Sequence, residues 1–557
     1  MPFQVKIFNE RVKTMKKRQL MVLGLILVIA SSLFLVACGE PEETPTTAPT
    51  TQTTTQPPTT TPSGDEPVYG GTFKMISTAG ITGWDAPTDA TSFLGMTIKN
   101  IVYEPLLNFD ADGNWTPNLA SNYEVSPDGL TVTITLKEGI MFHDGTELTS
   151  ADIKYHIENF TAFGAKMGVS GGFKNVQSVD TPERYVVVLN LSQPNAPLPV
   201  ALALNDGTIN SSTAVQKPTT EENRAKDHVA GAGAFKYVEW VRDVHFKAER
   251  FDNYFREGEP YLDAYEVDFY ADKVSALLAF ENGEGQGIYD ITPKDAADLE
   301  AKGYQVFTTL FANFVLTPDG ANADSPFAKL EVREAVEYAI DKKALAESFG
   351  YGYYQPLEQI AEPQYALAYN PTIEPREYDP AKAMELLDQA GYADGVDISL
   401  YAQMSDDMEL LTAIQSYLAD VGFNTKIEVG DPAKFHGEWA ATGWHNGVVF
   451  RGYGFQPNVL ENFTNWWRHP PQGSMFTSLY YPENWDARCD AAISETDPVK
   501  RKEMVQELVK TIHDECMSIP IMTNPVIIAF APNVGGADSY APLTSHFQSP
   551  HGLWLKE

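Results

Sequence analysis

The chain has 557 residues, of which 43% are hydrophobic and 11% aromatic, and its formal net charge at pH 7 is −35. Single hydrophobic cores stop growing at roughly 250–300 residues, so this length predicts several domains. The negative charge argues against nucleic acid and anionic lipid surfaces as partners, and the three cysteines, with no CxxC motif and no zinc-type spacing, argue against a disulfide framework or a structural metal site.

The N-terminal segment predicts an exported lipoprotein. Three basic residues at 16–18 precede an uncharged, mostly apolar stretch at 20–37, which is a signal-peptide pattern and is also almost long enough to span a bilayer as a plain anchor. The stretch ends in Leu-Val-Ala-Cys-Gly at 35–39, which resembles the lipobox of bacterial lipoproteins. That resemblance implies cleavage of a signal peptide at 1–37 and attachment of a diacylglycerol to the thiol of Cys38.

Residues 38–66 are expected to form a disordered tether. After Cys38 the segment is rich in threonine and proline and contains no large apolar side chain, so it cannot bury a core. Proline favours extended polyproline II at about 3.1 Å per residue, and a fully extended tether would reach roughly 80 Å. We therefore expect an extracytoplasmic protein that is lipid-anchored to the cell membrane, on its periplasmic or outer face.

The body, from about 67 to 557, mixes strand and helix patterns. A Pro-Asp-Gly turn at 127–129 is followed by alternating apolar and polar residues at 130–137, which predicts a half-buried strand. Asp379 and Pro380 supply the cap and first position of a helix that Gly391 ends. Further predicted elements are a strand at 185–191 and helices at 151–163, 332–340 and from 498 onward. Periodicity alone indicates a large α/β or α+β protein with several lobes.

One motif raises the alternative of a secreted serine hydrolase. Residues 168–172 fit GxSxG around Ser170, but a nucleophile elbow needs a strand before the serine and a helix after it. Here a predicted helix at 151–163 precedes the motif, which itself lies in a glycine-rich loop. The histidine and aspartate within Phe142–Gly145 are interpreted as part of a turn rather than as a catalytic dyad. The segment Asp110–Asn114 is likewise interpreted as a turn rather than as a calcium-binding loop. We therefore expect no enzyme activity, no catalytic residue, no cofactor and no metal site.

The segment 439–485 stands out by its aromatic content. It holds five tryptophans and is interrupted by four glycines, at 443, 447, 452 and 454. Flat aromatic faces beside exposed backbone suit a ligand cleft, whereas tryptophans that fill a core are the competing interpretation.

From Tyr69 onward the order of motifs resembles the family 5 extracellular solute-binding proteins, the peptide- and nickel-binding components of ABC importers. The most recognisable block is 100–160, which follows the family almost element by element. The other similar segments, in the family's order, are 70–74, 231–243, 332–345, 378–392 and 518–520. The resemblance covers nearly the whole body.

The resemblance implies an α/β fold of the type II (cluster C) periplasmic-binding-protein class, with two lobes around a hinged cleft and an extra domain. The expected limits are 67–108, 229–318 and 519–557 for lobe I, 109–228 for domain II, and 319–518 for lobe III. The chain would pass between lobes I and III twice, near residues 318 and 519, and these two connections would form the hinge. Closure around a ligand would bury it and present a new surface to the permease.

The implied function is the substrate-binding component of an ABC importer that binds an oligopeptide or similar small solute between lobes I and III. Its partners would be the solute and the permease subunits, with no nucleic acid, membrane attachment through the lipid only, and a monomeric state. The residues expected to bind the ligand are Thr91, Ser92, Phe93, Trp444, Phe450, Arg451, Tyr453, Trp466 and Trp467.

The chain departs from the family's peptide-binding pattern at one position. In peptide-binding relatives, the lobe III strand before a proline-containing turn carries an aspartate that pairs with the α-ammonium of the peptide. Aligning that turn on 455–457 places Tyr453 at the aspartate position, with Arg451 on the same face of the strand. A blocked or modified peptide, an oligosaccharide or another solute is therefore the alternative ligand, and a surface sensor or adhesin is the alternative role.

Overall fold

The computed structural model describes residues 66–78, 80–81, 83, 93–109, 115–167, 172–220, 227–453, 459–465, 467–470, 477–540 and 549–556. The predicted signal peptide, Cys38 and almost all of the tether lie outside these residues, as do Ser170 and the residues at 110–114. Within the part of the chain that is described, no helix is both long enough and apolar enough to cross a lipid bilayer.

The strands, in chain order, are β1 Thr72–Ser77, β2 Leu107–Phe109, β3 Trp115–Pro117, β4 Ala120–Val125, β5 Thr131–Leu136, β6 Val176–Glu183, β7 Val186–Leu191, β8 Phe235–Val241, β9 His245–Arg250, β10 Ala264–Phe269, β11 Gly287–Tyr289, β12 Gln305–Pro318, β13 Val396–Gln403, β14 Phe423–Gly430, β15 Gly447–Tyr453, β16 Ile519–Phe530, β17 Val534–Gly535 and β18 Trp554–Leu555.

The α-helices are α1 Phe93–Lys99, α2 Ser150–Met167, α3 Leu198–Ala203, α4 Ser212–Val215, α5 Lys273–Glu281, α6 Pro293–Ala301, α7 Leu330–Ala339, α8 Lys342–Gly350, α9 Pro380–Gln389, α10 Met408–Asp420, α11 Pro432–Lys434, α12 Val459–Asn465, α13 Trp485–Ser494, α14 Pro498–Asp514 and α15 Ala537–Tyr540. Short 3₁₀ turns lie at Asn205–Gly207, Pro326–Ala328 and Pro550–Gly552, and a π-helical turn at Phe435–Ala440.

Local sequence signals explain several of these elements. In β5 every second residue is buried, as the alternation after the Pro-Asp-Gly turn predicts. The Asp379 side chain accepts a hydrogen bond from the backbone N–H of Lys382, with Pro380 at the first helical position of α9. Asp497 caps α14 in the same way. These predicted strands and helices are confirmed.

Most strands join one ten-stranded sheet, in the order β14-β13-β15-β12-β16-β11-β1-β10-β9-β8. Its two central strands, β12 and β16, are antiparallel and are 14 and 12 residues long. On one side of this pair, β15, β13 and β14 share a hydrophobic core with α7, α9 and α10. On the other side, β11, β1, β10, β9 and β8 complete the sheet. The chain therefore passes between the two halves of the sheet along β12 and returns along β16.

The pairing of the two central strands is irregular near its middle. Regular register ends at Thr309 opposite Val526 and resumes at Ala312 opposite Asn524. A second shift follows between Phe314 and Val315. Such irregularities locally disrupt a ladder and bend the strand, so the two halves of the sheet meet at a place where the hydrogen-bonded ladder is interrupted.

Residues 115–203 form a separate layer. Strands β4, β5, β7 and β6 make a four-stranded antiparallel sheet, and α2 packs on it. Leu136, Ile153 and Leu189 lie in its hydrophobic core. A small β2–β3 hairpin precedes this sheet.

A buried charged cluster joins three elements in the half of the sheet that contains β15. The side chain of Glu337 in α7 is 2% exposed and accepts hydrogen bonds from Lys342 Nζ and Arg376 Nη1, each at 2.9 Å. Cys516, just after α14, lies 3.5 Å from the same carboxylate. Burial alone would raise the pKa of Glu337, but the two cations outweigh it and the pKa is lowered. Glu337 is therefore held as a carboxylate between two cations.

Candidate ligand-binding site

Strand β15 is the predicted cleft strand, and the structure places it between β12 and β13. It is antiparallel to β12, with Arg451 opposite Val315, and parallel to β13, with Gly447 opposite Ser399. A Cβ atom added at Gly447 would overlap the backbone carbonyl oxygen of Ser399. Glycine at this position therefore allows β13 to approach closely and fixes where β15 runs.

The two faces of β15 point into different surroundings. Phe450 is fully buried and stacks on Phe314 of β12, with ring centroids 5.1 Å apart and an interplanar angle of 18°. Val449 belongs to the core on the opposite face, together with Val315 of β12. Because side chains alternate along a strand, Arg451 lies on the Val449 face, next to the end of the strand.

Arg451 is a buried cation, only 6% exposed. Its charge acts on two titratable neighbours, Asp406 just after β13 and His436 in the π-helical turn. Burial raises the pKa of Asp406 to about 6, while the Gln403 N–H and the positive charge of Arg451 oppose that rise. Burial and the same charge both lower the pKa of His436. A guanidinium held in a low-dielectric environment on the cleft strand suits the recognition of a carboxylate.

A loop at 355–370 covers the face of the sheet that carries Val449 and Arg451. Asn313 of β12 donates a hydrogen bond from Nδ2 to the carbonyl oxygen of Ile360, at 3.0 Å. Ile360 and Ala361 pack into the core that contains Val315 and Val449. The loop is therefore attached to the middle of β12, beside the irregular pairing of the central strands.

The next residue of this loop, Glu362, is a buried carboxylate, 5% exposed. Among the described residues its one hydrogen-bond partner is Gln364 Nε2, at 2.8 Å. Burial raises the pKa of Glu362 to about 7. Among the described residues, Asn313 Oδ1 and the Tyr365 hydroxyl are buried without a hydrogen-bond partner. No local signal in the sequence marks any of these residues.

A cavity of about 850 Å³ adjoins the loop. It lies between the four-stranded sheet and the turn from α13 to α14, and Trp115, Tyr123, Tyr365, Val459 and Arg501 are among the residues that line it. Ligand pockets of this size, roughly 300–1,000 Å³, commonly hold small molecules.

The predicted ligand-binding residues are distributed as follows. Trp444 and Trp467 lie in the core that contains Val449, at 2% and 0% exposure, and the backbone oxygen of Trp467 accepts a hydrogen bond from Trp485 Nε1. Together with Phe450, they have packing roles in this structure. Their contact with a ligand stays a prediction.

The remaining predicted residues are less completely described. Thr91, Ser92 and Trp466 lie outside the described residues. The backbone of Phe93 begins α1, and that of Tyr453 ends β15. Thr97 of α1 hydrogen-bonds Tyr289 of β11, at 3.2 Å. Helix α1 is thus separated from β15 by the two central strands, and the two predicted segments lie on opposite sides of that pair.

The interpretation of 142–145 as a turn is confirmed. Gly145 has a positive φ of 82°, and Asp144 accepts hydrogen bonds from Thr146 and Ser211. His143 Nε2 contacts the Gly233 carbonyl oxygen at 2.9 Å, and burial lowers the pKa of His143 to about 4. Both side chains have structural partners and do not pair with each other as a catalytic dyad would.

Comparisons with known proteins agree with this architecture. The family model for "Bacterial extracellular solute-binding proteins, family 5 Middle" matches residues 114–475. The glutathione-binding protein GsiB of Salmonella paratyphi A is 28% identical over 468 residues, covering 81% of this chain and 88% of that protein.

Solved structures show the same fold. AgaA from A. tumefaciens R10, in complex with agropinic acid, is 26% identical with a TM-score of 0.70, covering 87% of this chain and 99% of that one. The periplasmic binding protein DppA from Helicobacter pylori, in complex with the peptide STSA, is 21% identical with a TM-score of 0.73, covering 88% and 99%. The predicted fold class, a two-lobed type II periplasmic-binding-protein fold, is confirmed.

Proposed function

The chain belongs to family 5 of the bacterial extracellular solute-binding proteins, and we propose that it captures a small peptide or peptide-like solute for an ABC importer. The observation that carries the ligand class is the buried Arg451 on β15, beside the central strands, where a guanidinium can bind a ligand carboxylate. The glutathione-binding relative supports this class, since glutathione is a tripeptide with free carboxylates.

The central strands support a hinge-closure mechanism. Only β12 and β16 connect the two halves of the ten-stranded sheet in the described part of the chain, and their pairing is irregular at 309–312. Rotation about this place would bring lobe I, which carries α1, toward the β15 face of lobe III. A ligand that contacts both lobes binds the closed state more tightly than the open state and therefore favours closure. The permease would then engage mainly the loaded protein.

Replacement of Arg451 tests the carboxylate site. The Arg451→Ala variant should bind ligand at least about tenfold more weakly, equivalent to about 1.4 kcal/mol, because it removes the buried cation. Native mass spectrometry of gently purified protein would identify a co-purified ligand. Calorimetry with that compound, with glutathione and with the tetrapeptide Ser-Thr-Ser-Ala would measure the effect.

The control for this variant is Arg184→Ala, which removes an exposed arginine bonded to Glu147 on the four-stranded sheet. It should leave the affinity unchanged. An unchanged affinity of a well-folded Arg451→Ala protein would remove Arg451 from the site. A co-purified sugar without any carboxylate would replace the peptide class by the oligosaccharide alternative.

The family is extracellular, and we propose that the protein is a monomer held at the membrane by a lipid on Cys38. The sequence at 35–39 supports this, because its cysteine directly follows the apolar stretch. The Cys38→Ala variant should lose incorporation of radiolabelled palmitate completely, whereas Cys489→Ala should be labelled as the unaltered protein is. Normal labelling of Cys38→Ala would exclude this anchor.

A further inference from the structure

Glu362 differs from Glu337, another deeply buried glutamate, because no cation lies beside Glu362 among the residues that the structure describes. Glu337 is held between Lys342 and Arg376, both at 2.9 Å. Among the described residues, Glu362 is instead hydrogen-bonded by the neutral amide of Gln364, and its own charge helps to raise the pKa of the neighbouring Tyr365. The two carboxyl groups therefore differ in pKa: the neighbouring cations lower the pKa of Glu337, whereas burial raises the pKa of Glu362 to about 7.

A buried carboxylate without a counter-ion is unfavourable in the ligand-free protein. It becomes favourable when a cation arrives, because the low dielectric that penalises the lone charge strengthens the pair. Perturbed buried carboxylates therefore occur often at binding sites, although structural networks also produce them. No such network surrounds Glu362 within the described residues.

The position of Glu362 links it to the candidate site. Two residues earlier, the carbonyl oxygen of Ile360 accepts the hydrogen bond from Asn313 on β12. Three residues later, Tyr365 lines the cavity. Asn313 Oδ1 is a buried acceptor that lacks a donor among the described residues, and the Tyr365 oxygen is another. An ammonium carries three N–H donors and no acceptor, so it can satisfy buried oxygen acceptors of this kind.

Strand β15 itself offers no acidic side chain. Its residues from Gly447 to Tyr453 include one charged group, the guanidinium of Arg451. A carboxylate of a zwitterionic solute could therefore bind β15, but its amino group requires an acid from another element. The loop that covers the same face supplies Glu362.

We propose that Glu362 binds a cationic amino group of the solute and makes the protein selective for ligands with a free ammonium. This inference rests on the proposed function. It extends that function by assigning opposite ends of one ligand to two elements, with the carboxylate on Arg451 and the ammonium on the loop at 355–370.

The test compares free and N-acetylated forms of the same probes: glutathione, Ser-Thr-Ser-Ala and a mixed tripeptide library. The wild-type protein should bind the free amine about 30-fold more tightly than the acetylated form, the effect of losing about 2 kcal/mol of charge-assisted interaction. In Glu362→Gln the affinity for the free amine should fall by a similar factor. Its affinity for the acetylated probe should change less than about threefold.

The matched control is Glu358→Gln, four residues earlier in the same loop, where the partly exposed carboxylate lies 3.4 Å from Lys342. It removes the same charge and should retain the preference for the free amine. If Glu362→Gln keeps the preference for the free amine, the inference is overturned. It is also overturned if the wild-type protein shows no such preference, and that result requires no variant. Failure of the wild-type protein to bind any probe would instead refute the proposed function.

Discussion

The Gly447→Ala variant should unfold at a much lower temperature than the wild-type protein and yield less folded material. An added Cβ would overlap the Ser399 carbonyl oxygen and lie 3.0 Å from the Tyr401 ring. The carbonyl belongs to the backbone of β13 and cannot rotate away, so β13 and β15 must separate where they pair. Overpacking of this kind costs about 3 kcal/mol or more, at the upper end of measured values.

The control is Gly437→Ala in the same lobe, where an added Cβ would meet no atom within 4 Å. Its free energy of unfolding, measured in urea, should lie within about 0.5 kcal/mol of the wild-type value. Surviving Gly447→Ala protein should also bind ligand more weakly, because Arg451 lies on the displaced strand. Equal stabilities of the two variants would show that β15 does not approach β13 as closely as described.

Glu337→Gln should destabilise the protein by about 3 kcal/mol at neutral pH, because it leaves Lys342 and Arg376 buried without their common anion. The pH dependence follows from the lowered pKa of Glu337. A depressed carboxyl pKa contributes stability above the unfolded-state value of about 4.3, and this contribution disappears as the pH falls through the folded-state value. The difference between the two proteins should therefore shrink in acid.

Glu334→Gln is the matched control for this cluster. Glu334 also contacts Arg376, at 3.2 Å, but its side chain is 25% exposed. Exposed ion pairs contribute about 1 kcal/mol at most, so this variant should lose less than that. Chemical denaturation at neutral and acidic pH would compare the three proteins. A pH-independent loss in Glu337→Gln would contradict the assignment of Glu337 as the charged partner.

Those parts of the fold with local signals could be predicted from the sequence. The alternation at 130–137 and the Asp-Pro caps at 379 and 497 each determine an element from neighbouring residues, and the family resemblance supplied the lobes. The alternation along β15 also placed Arg451 on one face. The sheet order, and the shift that divides β12, depend on pairing with residues about 200 positions away, for which a local pattern carries no signal.

The candidate site was less predictable, for two physical reasons. Trp444 and Trp467 fill a core, and an aromatic-rich segment looks the same whether its rings face a cleft or a core. Glu362 lies in a loop without periodicity, and that loop is bonded through Ile360 to Asn313, which is far away in the chain. An isolated glutamate next to a proline carries no signal of burial, so only the three-dimensional arrangement identifies it.

The placement of β16 between β11 and β12 has a consequence for secretion. Chains cross a membrane in order, so Phe73 emerges long before Phe530, although both belong to one core with Tyr540 and Leu553. That core cannot close until the C-terminal residues have been translocated. Contacts of such high sequence separation form slowly. We therefore expect the first lobe to emerge to be the last to finish folding, so that its N-terminal strands remain without their core while the export machinery still holds the chain.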